Sequence, residues 1–284
     1  MDSLNGHTVL DTENASLPSL TLPSLPYVAH EILIALNDSQ ADMKEISSAI
    51  AMEPGLSARI VSMANSALFS GQRPIVAVED AIIRVGISRV RVMAATILLA
   101  DQFDSSACPA FNANRYWFDA VQCAFATSRL APLLLPREEA DAAYLAGLLR
   151  NIGLLLLAHS FPKEMNRIFL LKARDSERSL PALEREHLGF DHDFASIALM
   201  REWQLPKPII VVIEQAHKPH YSGDHAVLVQ LINFSRTWAE RQFELPLSEE
   251  ISQLTFDAQR LEKIAQACIE EQTAIRGLAE LLGN

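Results

Sequence analysis

Cysteine is scarce in this chain of 284 residues: Cys108, Cys123 and Cys268 are odd in number and far apart. No CxxC pair exists, so neither a zinc ribbon nor a disulfide framework is supported, and a reducing cytoplasm is the expected compartment. Long apolar runs are missing too. The purely apolar runs Leu154 to Ala158 and Ile209 to Ile213 fall far short of the roughly 18 residues that a membrane span needs. The start Met1-Asp2-Ser3-Leu4-Asn5-Gly6 is neither basic nor apolar, so no secretory signal is read there. Asn14-Ala15-Ser16 matches a glycosylation sequon that a cytoplasmic chain would never present to that machinery. There is no GxSxG elbow, no Walker-type phosphate loop and no GxGxxG. Basic charge is in deficit, 24 Lys+Arg against 35 Asp+Glu for a formal net charge of −11. A chain this acidic is not expected to hold a nucleic-acid backbone over a wide face. Arg84, Arg89 and Arg91 come nearest to a basic patch and are read as a solvated helix face. Glycine is sparse as well, ten in all.

What the chain has is apolar residues, 49% of the total, enough for a sizeable core, and 14 prolines that divide it. Proline lacks the N–H that an inner helical turn needs, so it marks helix starts and loops. Pro18, Pro23 and Pro26 cluster, and residues 1–16 before them are polar and aperiodic, which predicts a disordered tail. Nearly every proline-free span beyond carries helical spacing. Val28, Ile32, Leu33 and Leu36 form one such stripe, and Leu56, Ile60, Met63 and Ala64 form another. Residues 249–282 read as one or two amphipathic helices. No convincing strand pair is visible. Ile209 to Ile213 would be a strand by propensity alone, but it follows Pro208 and runs into Glu214-Gln215-Ala216, so it is read as the start of a buried helix.

The stretch Tyr144 to Ala158 is apolar nearly all round, which predicts a central helix enclosed by others. Gly147 and Gly153 weaken such a helix by roughly 1 kcal/mol each relative to Ala, and close approach of a neighbouring helix is the expected reason. Arg150 and Asn151 are its only strongly polar residues. Burying an arginine requires a carboxylate or a ring of carbonyls around it.

Several motifs in order resemble the HDOD (HD-related output domain) family. Met52-Glu53-Pro54-Gly55-Leu56-Ser57-Ala58-Arg59-Ile60 followed by Met63-Ala64-Asn65-Ser66-Ala67-Leu68-Phe69 is similar to its signature. Val78-Glu79-Asp80-Ala81-Ile82, Val85-Gly86, and the helix carrying Trp117, Ala120 and Ala124 fit the following blocks. Ala146 to Gly153 stands where the family has Ala-Gly-Leu-Leu-His-Asp-Ile-Gly. Glu184 to His192, Trp203-Gln204-Leu205-Pro206 and Ala216-His217-Lys218-Pro219 fit the rest. The resemblance covers roughly residues 18 to 240. It implies an all-α, two-lobed helical bundle of HD-domain type, with an N-terminal lobe over 17–107 and an HD-like lobe over 108–245. The C-terminal helices over 246–284 are expected to pack back on one lobe of the HDOD domain, because their apolar stripe needs a partner. The resemblance also implies a bacterial signal-transduction or regulatory module.

The resemblance further implies a relation to HD phosphohydrolases, in which a His-Asp dyad and further His and Asp residues hold metal ions that activate water. Here the dyad position reads Arg150-Asn151. Arginine has no lone pair to donate, and asparagine lacks the charge. Asp119, His192 and His217 stand at the other vestigial ligand positions. No metal and no cofactor is therefore expected, and the chain is read as a non-enzyme. Arg150 has two readings: it pairs with an inward carboxylate such as Asp119 and only stabilises the bundle, or it binds a small anionic ligand. The first is preferred, which predicts a salt bridge or an anion at Arg150. Asn65 and Ser66 are read as packing the lobes together, and Trp117 and Trp203 as core or lobe-interface aromatics. The expected partner is a regulatory protein, with a small anion or nucleotide as the alternative and neither nucleic acid nor membrane involved. An active metal-dependent phosphohydrolase with atypical ligands is the rival reading.

Overall fold

In the computed structural model the described residues are 8–9, 20–38, 40–65, 69, 73–216, 218, 221–245 and 254–282. Prolines open many of the helices, as their fixed φ and missing N–H allow. Pro54, Pro162, Pro181 and Pro208 sit in the first turns of α3 (Pro54–Ala64), α9 (Pro162–Arg174), α10 (Leu180–Leu188) and α12 (Lys207–Gln215). Pro26 and Pro136 immediately precede α1 (Tyr27–Asn37) and α7 (Arg137–Leu149). Helix α2 (Met43–Ala51) starts on a full capping box, in which the Asp42 carboxylate accepts from Lys44 and Glu45 N–H while Glu45 accepts from Asp42 N–H. The β-branched run Ile209 to Ile213 is helical and buried save for Ile210. Packing decides there against strand propensity.

Helices α1, α2, α3, α4 (Val78–Val85) and α5 (Ile87–Ala100) pack mutually and form one lobe. Helix α6 (Ala113–Leu134) is the axis of the second. Helix α7 and α13 (Ala226–Glu240) lie on it, while α8 (Ile152–Ser160), α9, α10, α11 (His192–Glu202) and α12 complete the layer. Helix α14 (Ala258–Leu282) runs along α6 and touches α5, so the C-terminal stripe finds its partner as one helix rather than two. Its apolar face, Leu261, Ala265, Cys268, Ile275 and Leu278, is buried. Within that face Glu271 is also buried and accepts two bonds from Arg89 Nε of α5, at 2.7 and 2.9 Å.

Several expectations need correction. The stretch Tyr144 to Ala158 is not one helix: α7 ends at Leu149 and α8 begins at Ile152, bent by 40° at Arg150-Asn151. No single described helix is long and apolar enough to cross a membrane. A strand pair does exist, since β1 (Thr8–Val9) runs antiparallel to β2 (Leu20–Thr21) with Thr8 opposite Thr21 and Val9 opposite Leu20. Helix α6 runs through Pro132, close enough to its end for the lost bond to be tolerated.

The three arginines are more than a solvated face: although Arg89 stays partly exposed, each is bonded to other parts of the chain. Arg84 donates to Ala64 O at 3.2 Å, to Asn65 Oδ1 at 3.1 Å and to Arg73 O. Arg89 binds Glu271. Arg91 donates to Leu36 O at 3.2 Å and to the carbonyls of Asp38 and Ala41. Each guanidinium thereby satisfies carbonyl or carboxylate oxygens that the chain brings together from distant positions.

Candidate functional site

The bend between α7 and α8 delivers Arg150 and Asn151 to the wall of a cavity of about 280 Å³. Helix α6 forms the facing wall through Arg115, Tyr116, Asp119 and Ala120, with Asn112 just before it. Phe111, Leu154 and Phe169 supply apolar surface. The two glycines of the segment explain how it can sit so deep. A Cβ on Gly147 would stand 2.8 Å from Ala124 Cα of α6. A Cβ on Gly153 would run into the His192 carbonyl oxygen and lie 2.5 Å from Ser196 Oγ. Both helices approach at backbone distance, as the glycines predicted. Gly153 N–H donates to Ser196 Oγ at 2.8 Å, and that hydroxyl donates to His192 O at 2.8 Å, which locks α8 to α11.

Arg150 and Asp119 share the cavity but do not pair. Asp119 Oδ2 accepts from Arg115 Nε at 2.7 Å, one turn earlier on the same helix. Arg150 has no carboxylate partner among the described residues, and its buried Nε is left without a hydrogen bond. The salt bridge expected at Arg150 is therefore absent among the described residues, and the acid that shares its cavity is held by the guanidinium four residues before it. The Tyr116 hydroxyl, on a side chain 8% exposed, is likewise buried without a partner. Burial pushes the Tyr116 phenol well above its ordinary range, and the positive charge of Arg150 pulls it only part of the way back. Burial also raises the Cys123 thiol, again opposed by Arg150. The Arg150 charge thus reaches into α6.

His192 lies outside this cavity. Its Nδ1 stands 2.6 Å from Glu184 Oε2, and the same oxygen accepts from His192 N–H at 2.9 Å. Glu184 is fully buried, and its other oxygen has no partner. Burial alone would lower the His192 pKa, but the hydrogen bond and charge of Glu184, with Asp193 and Asp191 behind it, outweigh that and raise it. His217 and Ser66 lie outside the described residues. Asn65 does not reach toward the second lobe through any described bond. Its side chain donates to Ile75 O at 2.8 Å and accepts from Ile75 N at 2.9 Å, closing the loop that follows α3. Trp203 does join the lobes, since its indole N–H donates to Pro23 O at 2.7 Å and its ring meets Phe103 at 6.1 Å. Trp117 is a core residue set edge-on to Tyr116 at 5.0 Å.

A family model, the HDOD domain, matches residues 22–219. The chain belongs to the HDOD family. HDOD domains are related to HD phosphohydrolases. A Marinobacter aquaeolei VT8 protein provisionally named for signal transduction is similar with a TM-score of 0.73 and 25% identity, over 93% of this chain and 60% of that one. A Shewanella amazonensis SB2B protein provisionally named a phosphohydrolase shares the fold at TM-score 0.68 and 21% identity, over 92% and 95% of the two chains. A Geobacter sulfurreducens HDOD protein of unknown function follows at 0.64 and 21%, over 92% and 93%. A Treponema pallidum (strain Nichols) protein without assigned function is 23% identical over 217 residues, 75% of this chain. This chain spans 41% of that curated relative.

The metal that HD phosphohydrolases hold does not suit this HDOD cavity. Its polar lining is two guanidiniums, two carboxamides, a phenol and one carboxylate already bound to Arg115. Guanidinium cannot ligate, and its charge repels a cation. No group of three or more His, Cys, Asp or Glu side chains among the described residues is placed to hold a metal ion. Two residues of the cavity, Arg115 and Tyr116, were missed from the sequence, as was Glu184, the partner of His192. Arg115 was detectable from its four-residue spacing to Asp119. Glu184 and Tyr116 carried no such local signal.

Proposed function

We propose that this HDOD chain is a regulatory output module that acts by binding and not by hydrolysis. The observation that carries this reading is Arg150 on the cavity wall at the dyad position, with no carboxylate beside it among the described residues. In an HD phosphohydrolase that place supplies lone pairs to a dication, which then lowers the pKa of bound water. A fixed cation there reverses the electrostatics of the site, so water activation loses its source. The relation to a Marinobacter protein named for signal transduction supports a place in a signalling chain. A regulatory protein is the partner this reading expects, with the Trp203–Pro23 link and α14 holding the two lobes in a fixed relation for it to engage.

The test is hydrolysis of bis(p-nitrophenyl) phosphate by the purified chain with added Mn²⁺. No metal-dependent release of nitrophenol above buffer is expected. Turnover that depends on metal and disappears in His192→Ala or His217→Ala would establish the phosphohydrolase reading instead.

A further inference from the structure

We infer that the cavity between α6 and the α7–α8 bend is a binding site for a small organic anion, one with a phosphate or carboxylate head on a compact aromatic or apolar body. This rests on the binding reading above and gives it a ligand class. The polar groups are arranged as donors. Arg150 lines the cavity with its buried Nε unpartnered, and the Tyr116 hydroxyl is buried and equally unpartnered. Buried donors left without acceptors are costly to keep; both atoms have almost no accessible surface, so an acceptor-rich guest reaches them only as the Arg150 and Tyr116 side chains turn into the cavity. Arg115 stands beside them and keeps the single acid, Asp119, from presenting an unopposed negative charge.

The backbone has the same polarity. Asn112 and Asn151 line the cavity and are the residues from which α6 and α8 start. Asn112 caps its helix by accepting from Arg115 N–H, whereas Asn151 makes no side-chain cap for α8. The positive ends of two helices therefore meet the same space, although the first-turn N–H groups of α8 are largely taken, Gly153 N–H by Ser196 Oγ and Leu154 N–H by Asn151 O. The size and the remaining walls fix the body of the guest. About 280 Å³ lies at the small end of ligand pockets. Phe111 and Phe169, with ring centroids 5.8 Å apart, give it a flat apolar side.

Isothermal titration with phenyl phosphate, benzoate and, as a neutral control, phenol tests this on the full chain. Saturable binding of phenyl phosphate or benzoate is expected, with phenol failing to bind. Preference between the two anions identifies the head group. Arg150→Met should weaken binding by about tenfold or more, Arg150→Lys by less, and Tyr116→Phe by several-fold. Circular dichroism of each variant separates lost binding from lost fold. If phenol binds as tightly as the anions, if neither anion binds, or if Arg150→Met binds them as wild type does, the inference is overturned. Adding Mn²⁺ and following phenol release from phenyl phosphate keeps the two readings apart. Cleavage would defeat the non-catalytic reading, whereas absence of both binding and cleavage defeats only the anion site.

Discussion

Arg150 and Asp119 face one cavity from opposite walls, yet Asp119 bonds Arg115 and leaves Arg150 without a carboxylate. The charge at the dyad position is thus not neutralised by its neighbour. The expectations below follow from that arrangement and from the contacts that hold it.

Asp119→Asn should change stability by less than about 0.5 kcal/mol in urea denaturation, because the Arg115 pair is a partly exposed bridge between successive turns of one helix. A loss of several kcal/mol would mean that Asp119 does support Arg150.

Gly153→Ala should be severe, about 3 kcal/mol, since the new methyl group meets backbone of α11 on two sides. Gly55→Ala is the control. Its Cβ would reach only Glu53 Oε1, at an ordinary 3.4 Å, so the effect there should be neutral or stabilising by a few tenths of a kcal/mol. Thermal denaturation of the two variants side by side decides it.

Trp203→Phe keeps a six-membered aromatic ring but removes the pyrrole part of the indole and with it the donor to Pro23 O. A loss of about 2 kcal/mol is expected from the bond and the cavity together, with faster proteolysis in the segment 20–26 than in wild type. Equal cleavage rates would show that the bond does not hold that segment.

Stability should also depend on pH through His192. Its folded pKa is raised above the ordinary value of about 6.5. The Glu184 contact is therefore fully stabilising below that value, and its contribution fades as pH rises through the folded pKa. In urea melts, wild type should lose stability relative to His192→Gln as pH climbs from 6 upward. A difference that grows with rising pH would contradict the raised value.

Much of this fold is legible in the sequence, for local reasons. Proline positions locate helix starts because the missing N–H is a local constraint, and Pro208 marks the start of the helix that burial of Ile209 to Ile213 then holds. Gly147 and Gly153 announce close packing because nothing else justifies glycine in an apolar helix. The bend at Arg150-Asn151 is hidden for the opposite reason, since the apolar pattern continues across it unbroken. The roles of Arg84, Arg89 and Arg91 are hidden as well. Their partners lie up to 182 positions away, as with Glu271, and no local spacing encodes them. The same limit applies to Arg150, for which Asp119 is the expected partner although Arg115 holds it.

The most direct test of the central claim is the stability of Arg150→Met, measured by urea denaturation without any added anion. An arginine kept for a guest is a cost to the empty protein, so methionine, similar in volume and free of charge, should stabilise the chain by about 1 kcal/mol. A destabilisation of 2 kcal/mol or more would show that Arg150 is a structural residue with a partner of its own.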